Sequence, residues 1–290
     1  MTTRRAAALL VLAAAGVLLA VWAWPDAVRP RGGKGGTPAV ASAIVSAAPA
    51  RAAPQRPIWR PGPRTTWQWQ LSAPVDQSVP AEMYDIDLFD NSAAVVASLH
   101  ARGRRVVCYL SAGSFERGRP DSARFPAAVL GRPLDGFPDE RWLDVRRLDV
   151  LRPVIERRLD LCASKGFDGV EADNVDGYAN PTGFPLTAAH QLRFNRFLAR
   201  AAHARGLSIG LKNDLGQAAT LVTDFDWALN EQCFEFDECD LLLPFVRAGK
   251  AVFTVEYALR PAAFCARART LGVMSMRKRL ELDAWRAPCF

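Results

Sequence analysis

Five times in this chain a glycine ends an amphipathic stretch, and a short apolar run follows within a few residues. Glycine is common just after the last turn of a helix because it adopts the left-handed backbone conformation at no steric cost. A helix, a glycine, a short loop and a strand form the repeating unit of an α/β protein. The pattern therefore predicts alternating helices and strands, with helices that end at Gly103, Gly166, Gly206, Gly249 and Gly272.

Three further apolar runs bring the predicted strands to eight, the number in a (β/α)8 barrel. We predict an α/β fold of this class, a TIM barrel, over residues 61–290. An open doubly wound sheet is the competing architecture, but it normally carries a glycine-rich first turn, and G-x-G-x-x-G is absent after the first strand. The predicted strands are 66–71, 83–89, 106–111, 168–174, 207–213, 225–233, 252–257 and 273–278.

A long insert, residues 114–141, follows the third predicted strand. Because it leaves the carboxyl end of that strand, it lies on the face where TIM barrels bind their substrates. We expect this insert to form a lid over the substrate cleft or one of its walls.

The N-terminal region has the pattern of an export segment. Arg4 and Arg5 precede an apolar run, residues 6–24, whose length is close to the ~20 residues that span a bilayer. Residues 1–24 therefore form a signal peptide or a membrane anchor, and the poor cleavage pattern near Trp22-Ala23-Trp24 favours the anchor. Residues 25–60, rich in Pro, Ala, Gly and Arg, are predicted to be a linker. We expect an exported protein, secreted, periplasmic or tethered by this segment.

The net charge of +7 suggests a nucleic-acid partner only until its distribution is considered. Residues 1–60 carry eight basic residues and one acid, whereas residues 61–290 carry 29 of each sign. The neutral predicted domain therefore lacks the basic surface that follows a phosphate backbone, and we expect no nucleic-acid partner. Phosphate-binding glycine loops are also missing, which disfavours nucleotide binding. We expect the domain to be a monomer.

The six cysteines are typical of an oxidising compartment. Cys233 and Cys239 flank a short acidic loop, Cys265 and Cys289 are placed to fasten the C-terminus, and a strand-to-helix link would join the remaining two, Cys108 and Cys162. Six cysteines allow fifteen pairings, so the sequence leaves the connectivity open. With no C-x-x-C pair and three histidines, we expect no zinc site and no cofactor.

Polar side chains collect where the predicted strands end. Alternation along the fourth strand directs Glu171 and Asp173 to the barrel axis and Val170 and Ala172 to the helices. Carboxylates at one mouth suit paired acid–base chemistry, a cationic ligand or a divalent cation, the last around Glu171, Asp173 and Asp176. The strand-end candidates are Asp85, Asp87, Tyr109, Glu171, Asp173, Asp176, Lys212, Asn213, Glu231, Glu256 and Tyr257, with Trp67 as a further aromatic.

The segment Phe167-Asp168-Gly169-Val170-Glu171-Ala172-Asp173-Asn174-Val175-Asp176 resembles the signature of glycoside hydrolase family 114. Supporting matches lie on other strands: Trp67-Gln68-Trp69-Gln70-Leu71, Tyr84-Asp85-Ile86-Asp87, Cys108-Tyr109-Leu110-Ser111-Ala112-Gly113, Gly210-Leu211-Lys212-Asn213 and Asn230-Glu231-Gln232-Cys233. The resemblance covers residues 64–278 and implies a (β/α)8 endo-α-1,4-polygalactosaminidase whose catalytic carboxylates are Asp173 and Glu231. Glu171 departs from the family pattern, where a less acidic residue is expected.

By analogy with α-retaining barrels, we expect Asp173 to be the nucleophile and Glu231 the acid and base. The partner of this protein would be a cationic galactosamine polymer, whose amines pair with Asp85, Asp87, Glu171 and Glu256. Tyr109, Lys212 and Asn213 are candidates for orienting or binding the substrate. A non-catalytic carbohydrate-binding protein of the cell envelope and a glycosidase for a different α-linked glycan are the alternatives.

Overall fold

The computed structural model describes residues 57–290, which belong to one compact unit. Its strands are β1 (Trp67–Gln70), β2 (Met83–Asp87), β3 (Arg105–Ser111), β4 (Ser114–Glu116), β5 (Leu130–Leu134), β6 (Phe137–Leu143), β7 (Gly169–Asp173), β8 (Ser208–Lys212), β9 (Trp227–Glu231), β10 (Val252–Glu256), β11 (Met274–Arg277) and β12 (Ala287–Pro288). Eight parallel strands follow one another in a single curled sheet, in the order β1-β2-β3-β7-β8-β9-β10-β11. All eight predicted strands are present, and the TIM-barrel prediction is confirmed.

Helices cover the outside of the sheet. They are α1 (Ala93–Ala101), α2 (Leu148–Lys165), α3 (Ala188–His203), α4 (Ala218–Leu221), α5 (Leu243–Arg247) and α6 (Pro261–Leu271), with short 3-10 turns at Ser122–Arg124, Ala127–Val129, Gly177–Ala179, Leu215–Gln217 and Cys239–Leu242. The chain between β1 and β2 contains no helix, so the first helix of the repeat that the sequence predicted is missing. The five helix-ending glycines all have positive φ, as predicted; Gly166, for example, ends α2 at φ 90°.

Two apolar cores lie on the two faces of the curled sheet. Val170 and Ala172 belong to the outer core, which packs against the helices. The inner core fills the lower barrel with large rings, because Trp67, Trp227 and Phe253 meet edge to face or tilted. The predicted alternation of outward and inward side chains on β7 is therefore confirmed.

The seam between β1 and β11 is joined by side chains and the C-terminal segment. Trp67 Nε1 donates to the carbonyl of Met274 at 3.0 Å, and β12 pairs antiparallel with β11. Arg286 then donates to the carbonyl of Trp67 at 2.6 Å, and Leu71 N donates to Leu282 O at 3.0 Å. Sequence periodicity did not predict this closure because it depends on contacts between the two ends of the domain.

The insert after β3 is a three-stranded antiparallel sheet in the order β4-β6-β5. Leu143 N at its end donates to the carbonyl of Gly113, at the carboxyl end of β3, over 2.9 Å. Arg158 of α2 holds the same region, since it binds Asp121 through two nitrogens and the carbonyl of Ser111 through the third. The insert is thus a fixed sheet at the carboxyl ends of the strands.

Three disulfides join the cysteines in the pairs Cys108–Cys162, Cys233–Cys239 and Cys265–Cys289. The first links β3 to α2 and the last fastens the C-terminus to α6, which agrees with export to an oxidising compartment. Trp59 packs against the inner core, and Arg60 Nε donates to Asp226 Oδ1 at 2.5 Å, so these two residues contact the domain predicted to begin at residue 61. Within residues 57–290 no helix has the length and apolar character needed to cross a bilayer. The predicted segment 1–24 and most of the linker lie outside the described residues.

Candidate active site

The chain turns sharply directly after three of the site strands. Asn174, Asn213 and Gln232 follow the last residues of β7, β8 and β9 and have φ values of 62°, 50° and 64°. Left-handed backbone at non-glycine residues is uncommon and concentrates at functional sites. Close packing reinforces the first turn, because a side chain on Gly113 would place its Cβ 1.7 Å from the carbonyl oxygen of Asn174.

Lys212 is the buried centre of the site. Its Nζ lies 2.8 Å from Glu171 Oε1, 3.1 Å from Asp173 Oδ1 and 3.3 Å from Glu231 Oε2. The ammonium also lies 4.6 Å above the ring of Trp69, which closes the site from below. Burial by itself would lower the pKa of Lys212, but the three carboxylates raise that pKa well above its ordinary value. Lys212 therefore stays charged.

Among the carboxylates around Lys212, solvent reaches two. The side chain of Asp173 is 18% exposed and that of Glu231 is 26% exposed, whereas Glu171 is fully buried. Asp173 Oδ1 and Glu231 Oε2 share contact with one nitrogen, so they lie no more than about 6.4 Å apart, the sum of the two contact distances. The structure thus brings together the two residues that the sequence singled out, both facing the mouth.

Each of these two carboxylates is oriented by a tyrosine hydroxyl. Tyr109 donates to Asp173 Oδ2 at 3.1 Å, and Tyr257 donates to Glu231 Oε1 at 2.5 Å. Burial raises the pKa of both tyrosines well above the ordinary value, and the neighbouring carboxylate adds to the effect. Both hydroxyls therefore keep their protons and remain donors.

Asn213 fixes Glu231 from the other side. Its Nδ2 donates to Glu231 Oε2 at 3.2 Å, and its Oδ1 accepts the backbone N–H of Glu231 at 3.0 Å. Asn230 completes the arrangement by donating to Asn213 Oδ1 at 3.1 Å. The backbone N–H of Asn174 has the matching role at the end of β7, since it donates to Asp173 Oδ1 at 2.8 Å.

Asp85 and Glu171 form a second, inaccessible layer below this pair. Burial raises the pKa of Asp85 well above its ordinary value, and the charge of Glu171 and a hydrogen bond with it act in the same direction. Neither oxygen of Asp85 has an N–H or O–H donor within the described residues, whereas Glu171 receives the ammonium of Lys212. Asp85 is therefore the protonated carboxyl of the pair and donates a hydrogen bond to Glu171. Because both side chains are fully buried, neither Asp85 nor Glu171 can contact a substrate amine directly.

Three other predicted substrate contacts are also used inside the protein. Asp87 is bound by two nitrogens of Arg119, at 2.6 Å and 3.0 Å. Glu256 faces away from the axis and accepts the backbone N–H of Phe234 at 2.9 Å. Trp67 lies in the inner core and is 2% exposed. The expectation that these residues line the cleft does not fit their placement, because sequence spacing cannot show which partner reaches a side chain first.

Asp176 belongs to a different cluster at the same end of the barrel. Its charge acts on Asp214, whose pKa is raised to about 8, mainly by burial. Asp214 accepts Asn195 Nδ2 at 2.8 Å and hydrogen-bonds the hydroxyl of Tyr178. The structure therefore groups Asp176 with Asp214 and Tyr178.

Sequence reasoning missed Glu140, which β6 of the insert carries to the site. Glu140 Oε2 accepts Ser114 Oγ at 2.8 Å, and Ser114 Oγ also accepts Asn174 Nδ2 at 3.1 Å. No local motif marks Glu140. Its position depends on how the insert folds back on β3, and the length of the insert was the available signal.

Within residues 57–290, no three His, Cys, Asp or Glu side chains are grouped to hold a metal ion. The calcium or magnesium site that the sequence allowed comprised Glu171, Asp173 and Asp176, and the ammonium of Lys212 lies against the first two of these carboxylates. His100 and His203 contact Asp168 and Asp226, just before β7 and β9, at the opposite ends of those strands from the site.

Sequence comparison identifies the family. The profile of glycoside-hydrolase family GH114 matches residues 48–290. This chain belongs to family GH114. It is a glycoside hydrolase, and the resemblance drawn from the strand-end motifs is confirmed.

Several known proteins are similar to this chain in sequence or in fold. The crystal structure of Aspergillus fumigatus Ega3 in complex with galactosamine is 40% identical, covers 81% of this chain and 98% of its own, and has a TM-score of 0.77. An uncharacterised protein of Deinococcus radiodurans is 29% identical over 70% of this chain and 75% of its own. The glycoside hydrolase domain of PelA from Pseudomonas aeruginosa is 15% identical over 77% of this chain and 96% of its own, with a TM-score of 0.60, which shows a shared fold.

Proposed function

We propose that this protein hydrolyses α-1,4-linked, galactosamine-containing polysaccharide from within the chain, with retention of the anomeric configuration. The observation that carries the catalytic proposal is the shared contact of Lys212 with Asp173 and Glu231. Paired carboxylates about 5–5.5 Å apart act as nucleophile and acid–base, whereas inverting enzymes keep them about 6.5–9.5 Å apart. The two lysine-bound oxygens lie at most about 6.4 Å apart, and we assign retention by analogy with α-retaining barrels.

Asp173 is the nucleophile in this mechanism. Its Oδ1 is held by Lys212 and Asn174 N, which leaves Oδ2, oriented by Tyr109, to attack the anomeric carbon. The glycosidic C–O bond breaks as the Asp173–carbon bond forms, and Glu231 transfers its proton to the leaving oxygen. The product of this step is a covalent glycosyl-enzyme and a shortened chain.

Glu231 acts as the base in the second step. Its carboxylate takes a proton from water, the water oxygen attacks the anomeric carbon, and the bond to Asp173 breaks. Tyr257 and Asn213 hold the side chain of Glu231 in place through both steps. Lys212 keeps its charge throughout, so its role is to stabilise the carboxylate that each step regenerates.

The substrate is proposed from two observations. The Ega3 structure, 40% identical to this chain, carries galactosamine. In the present protein solvent reaches the carboxylates of Asp173 and Glu231, and protonated amines are natural partners of carboxylates. A neutral α-linked glycan would gain less from such a site.

The test uses the full chain, purified in mild detergent so that either fate of residues 1–24 is accommodated. It is incubated with partly deacetylated α-1,4-galactosaminogalactan, and early products are followed by mass spectrometry. Asp173→Asn and Glu231→Gln are run in parallel, with Asp149→Asn, an exposed acid on α2, as the matched control. Proton NMR of the first products gives the anomer.

We expect oligomers of mixed length from the wild type and from the Asp149 variant, with the α-anomer formed first. A β-anomer would replace the retaining mechanism with an inverting one. Release of single sugars alone would overturn internal cleavage. Binding without products would indicate a carbohydrate-binding protein, and activity on a neutral α-glycan alone would indicate a different substrate.

The proposal extends to location and assembly. The N-terminal segment, residues 1–24, would tether a monomeric catalytic domain to the membrane through the linker, residues 25–60. Membrane fractionation with an alkaline wash tests the tether, because a cleaved protein appears in the soluble exported fraction. Light scattering of the detergent-purified chain tests the monomer, and a dimer mass would contradict it.

A further inference from the structure

Glu140 lies opposite Glu116 in the register of β4 and β6. Directly opposed residues of an antiparallel pair project to the same face, and two like charges there are unfavourable unless each has a partner. Glu116 has one, since Arg119 Nε donates to its Oε1 at 2.8 Å. Glu140 has the hydroxyl of Ser114, which supplies a hydrogen bond without a positive charge.

Ser114 connects Glu140 to the nucleophile. Because Ser114 Oγ contacts both Glu140 Oε2 and Asn174 Nδ2, that carboxylate oxygen lies at most about 5.9 Å from the Asn174 amide nitrogen. Asn174 in turn binds Asp173 through its backbone N–H. The insert therefore presents Glu140 near Asp173, close enough for the charge of Asp173 to act on it.

Among residues 57–290, Glu140 has no positively charged partner of its own. Glu140 makes no ion pair with any residue between 57 and 290. Burial raises its pKa to about 7, and the charges of Glu116 and Asp173 act in the same direction, against Ser114 and Arg119. Arg119 cannot serve as the partner because it is already bound to Asp87 and Glu116. Glu140 is partly exposed, so a cation from outside can reach it.

We propose that Glu140 is a specificity-determining residue, which binds the ammonium group of a galactosamine unit bound next to Asp173. This inference rests on the proposed function and identifies Glu140 as the residue that recognises the amine of the substrate. An ammonium supplies the missing positive charge and three N–H donors, whereas an N-acetylated unit offers a neutral amide. The enzyme would therefore favour deacetylated over N-acetylated units at this position.

Kinetics of Glu140→Gln on defined oligomers test the inference. The substrates are α-1,4-linked galactosamine oligomers and their fully N-acetylated counterparts. A charge-assisted hydrogen bond is worth enough that its loss should raise KM for the galactosamine oligomers about tenfold, with kcat changed less than about threefold. KM for the acetylated oligomers should stay at the wild-type value.

Asp139→Asn is the matched control, because Asp139 is the preceding residue on β6 and its side chain is 79% exposed beside Arg117. It should retain the wild-type preference. Glu140→Asp keeps the charge and should restore part of the selectivity that Glu140→Gln loses.

Two results would overturn the role of Glu140 while leaving the proposed function intact. One is an unchanged KM in Glu140→Gln on both substrates, and the other is an equal loss on both, which indicates a structural role. A wild type that cleaves neither oligomer would instead remove the proposed function and this inference together.

Discussion

The ammonium nitrogen of Lys212 lies 2.8 Å from Oε1 of Glu171, and both side chains are closed to solvent. A buried ion pair costs desolvation of both charges, so its retention at a barrel mouth calls for a role beyond stability. That role follows from the remaining contacts of Lys212, which reach Asp173 and Glu231. The Lys212–Glu171 pair lies beneath Asp173 and Glu231, and Lys212 contacts both of these solvent-accessible carboxylates.

Lys212→Met should lower kcat about a hundredfold or more, because the carboxylates regenerated in each step lose their buried positive charge. Removing one partner of a buried pair should also cost about 3–5 kcal/mol of unfolding free energy. Single-turnover kinetics and urea unfolding measure the two effects. Lys250→Met is the control, since Lys250 donates to the backbone carbonyls of Val222 and Phe225 outside the site. It should change stability but not kcat, and a wild-type kcat in Lys212→Met would contradict this account.

Azide rescue should separate the roles of Asp173 and Glu231. Either alanine variant should lose about 10³-fold in rate. With Asp173→Ala, azide attacks the sugar directly, so the product should be the β-azide. With Glu231→Ala, azide attacks the covalent intermediate, so the product should be the α-azide. NMR of the glycosyl azides distinguishes them, and exchanged products would reverse the two assignments.

The stability of the protein should fall between pH 5 and pH 8 through Asp214. Burial raises the pKa of this carboxyl to about 8 in the folded state, so the folded protein holds a proton that the unfolded chain has already released. This contribution is fully present below about pH 4 and is lost as the pH rises through about 8. Asp214→Asn removes the titrating group, so the loss of unfolding free energy between pH 5 and pH 8 should be smaller in this variant by roughly 3–4 kcal/mol.

Urea unfolding at pH 5 and pH 8 measures this difference for the wild type and the Asp214 variant. Asp139→Asn is the control, because solvent reaches that exposed carboxylate in both states. Parallel pH dependence in all three proteins would exclude Asp214 as the source.

Removal of two of the disulfides should cost different amounts of unfolding free energy. Cys108–Cys162 closes a loop of 54 residues and Cys233–Cys239 closes one of 6. Chain entropy predicts losses of about 4 and about 2 kcal/mol for the respective double alanine variants. Cys233 lies two residues after Glu231, so loss of the short bridge should also lower kcat, whereas loss of the long one should not. Unfolding and kinetics together test this, and a larger stability loss for the short bridge would contradict the entropic argument.

The sequence determined the architecture because its signals are local. A glycine that ends a helix, an apolar run of strand length and the two-residue alternation of β7 each depend on a few neighbouring residues. The same alternation directed Glu171 and Asp173 to the axis. Motifs at the ends of β7 and β9 also identified the family, which comparison then confirmed.

The tertiary structure decided which of the predicted residues share one site, because that depends on contacts between distant segments. Arg119 of the insert binds the carboxylate of Asp87, and the backbone N–H of Phe234 donates to Glu256. Asp85 is buried next to Glu171. The folding of the insert brings in Glu140, which no local pattern marks. The position of a residue along a strand determines which face of the sheet its side chain points to. Its burial, protonation and partners are fixed only when the other strands and the insert pack around it.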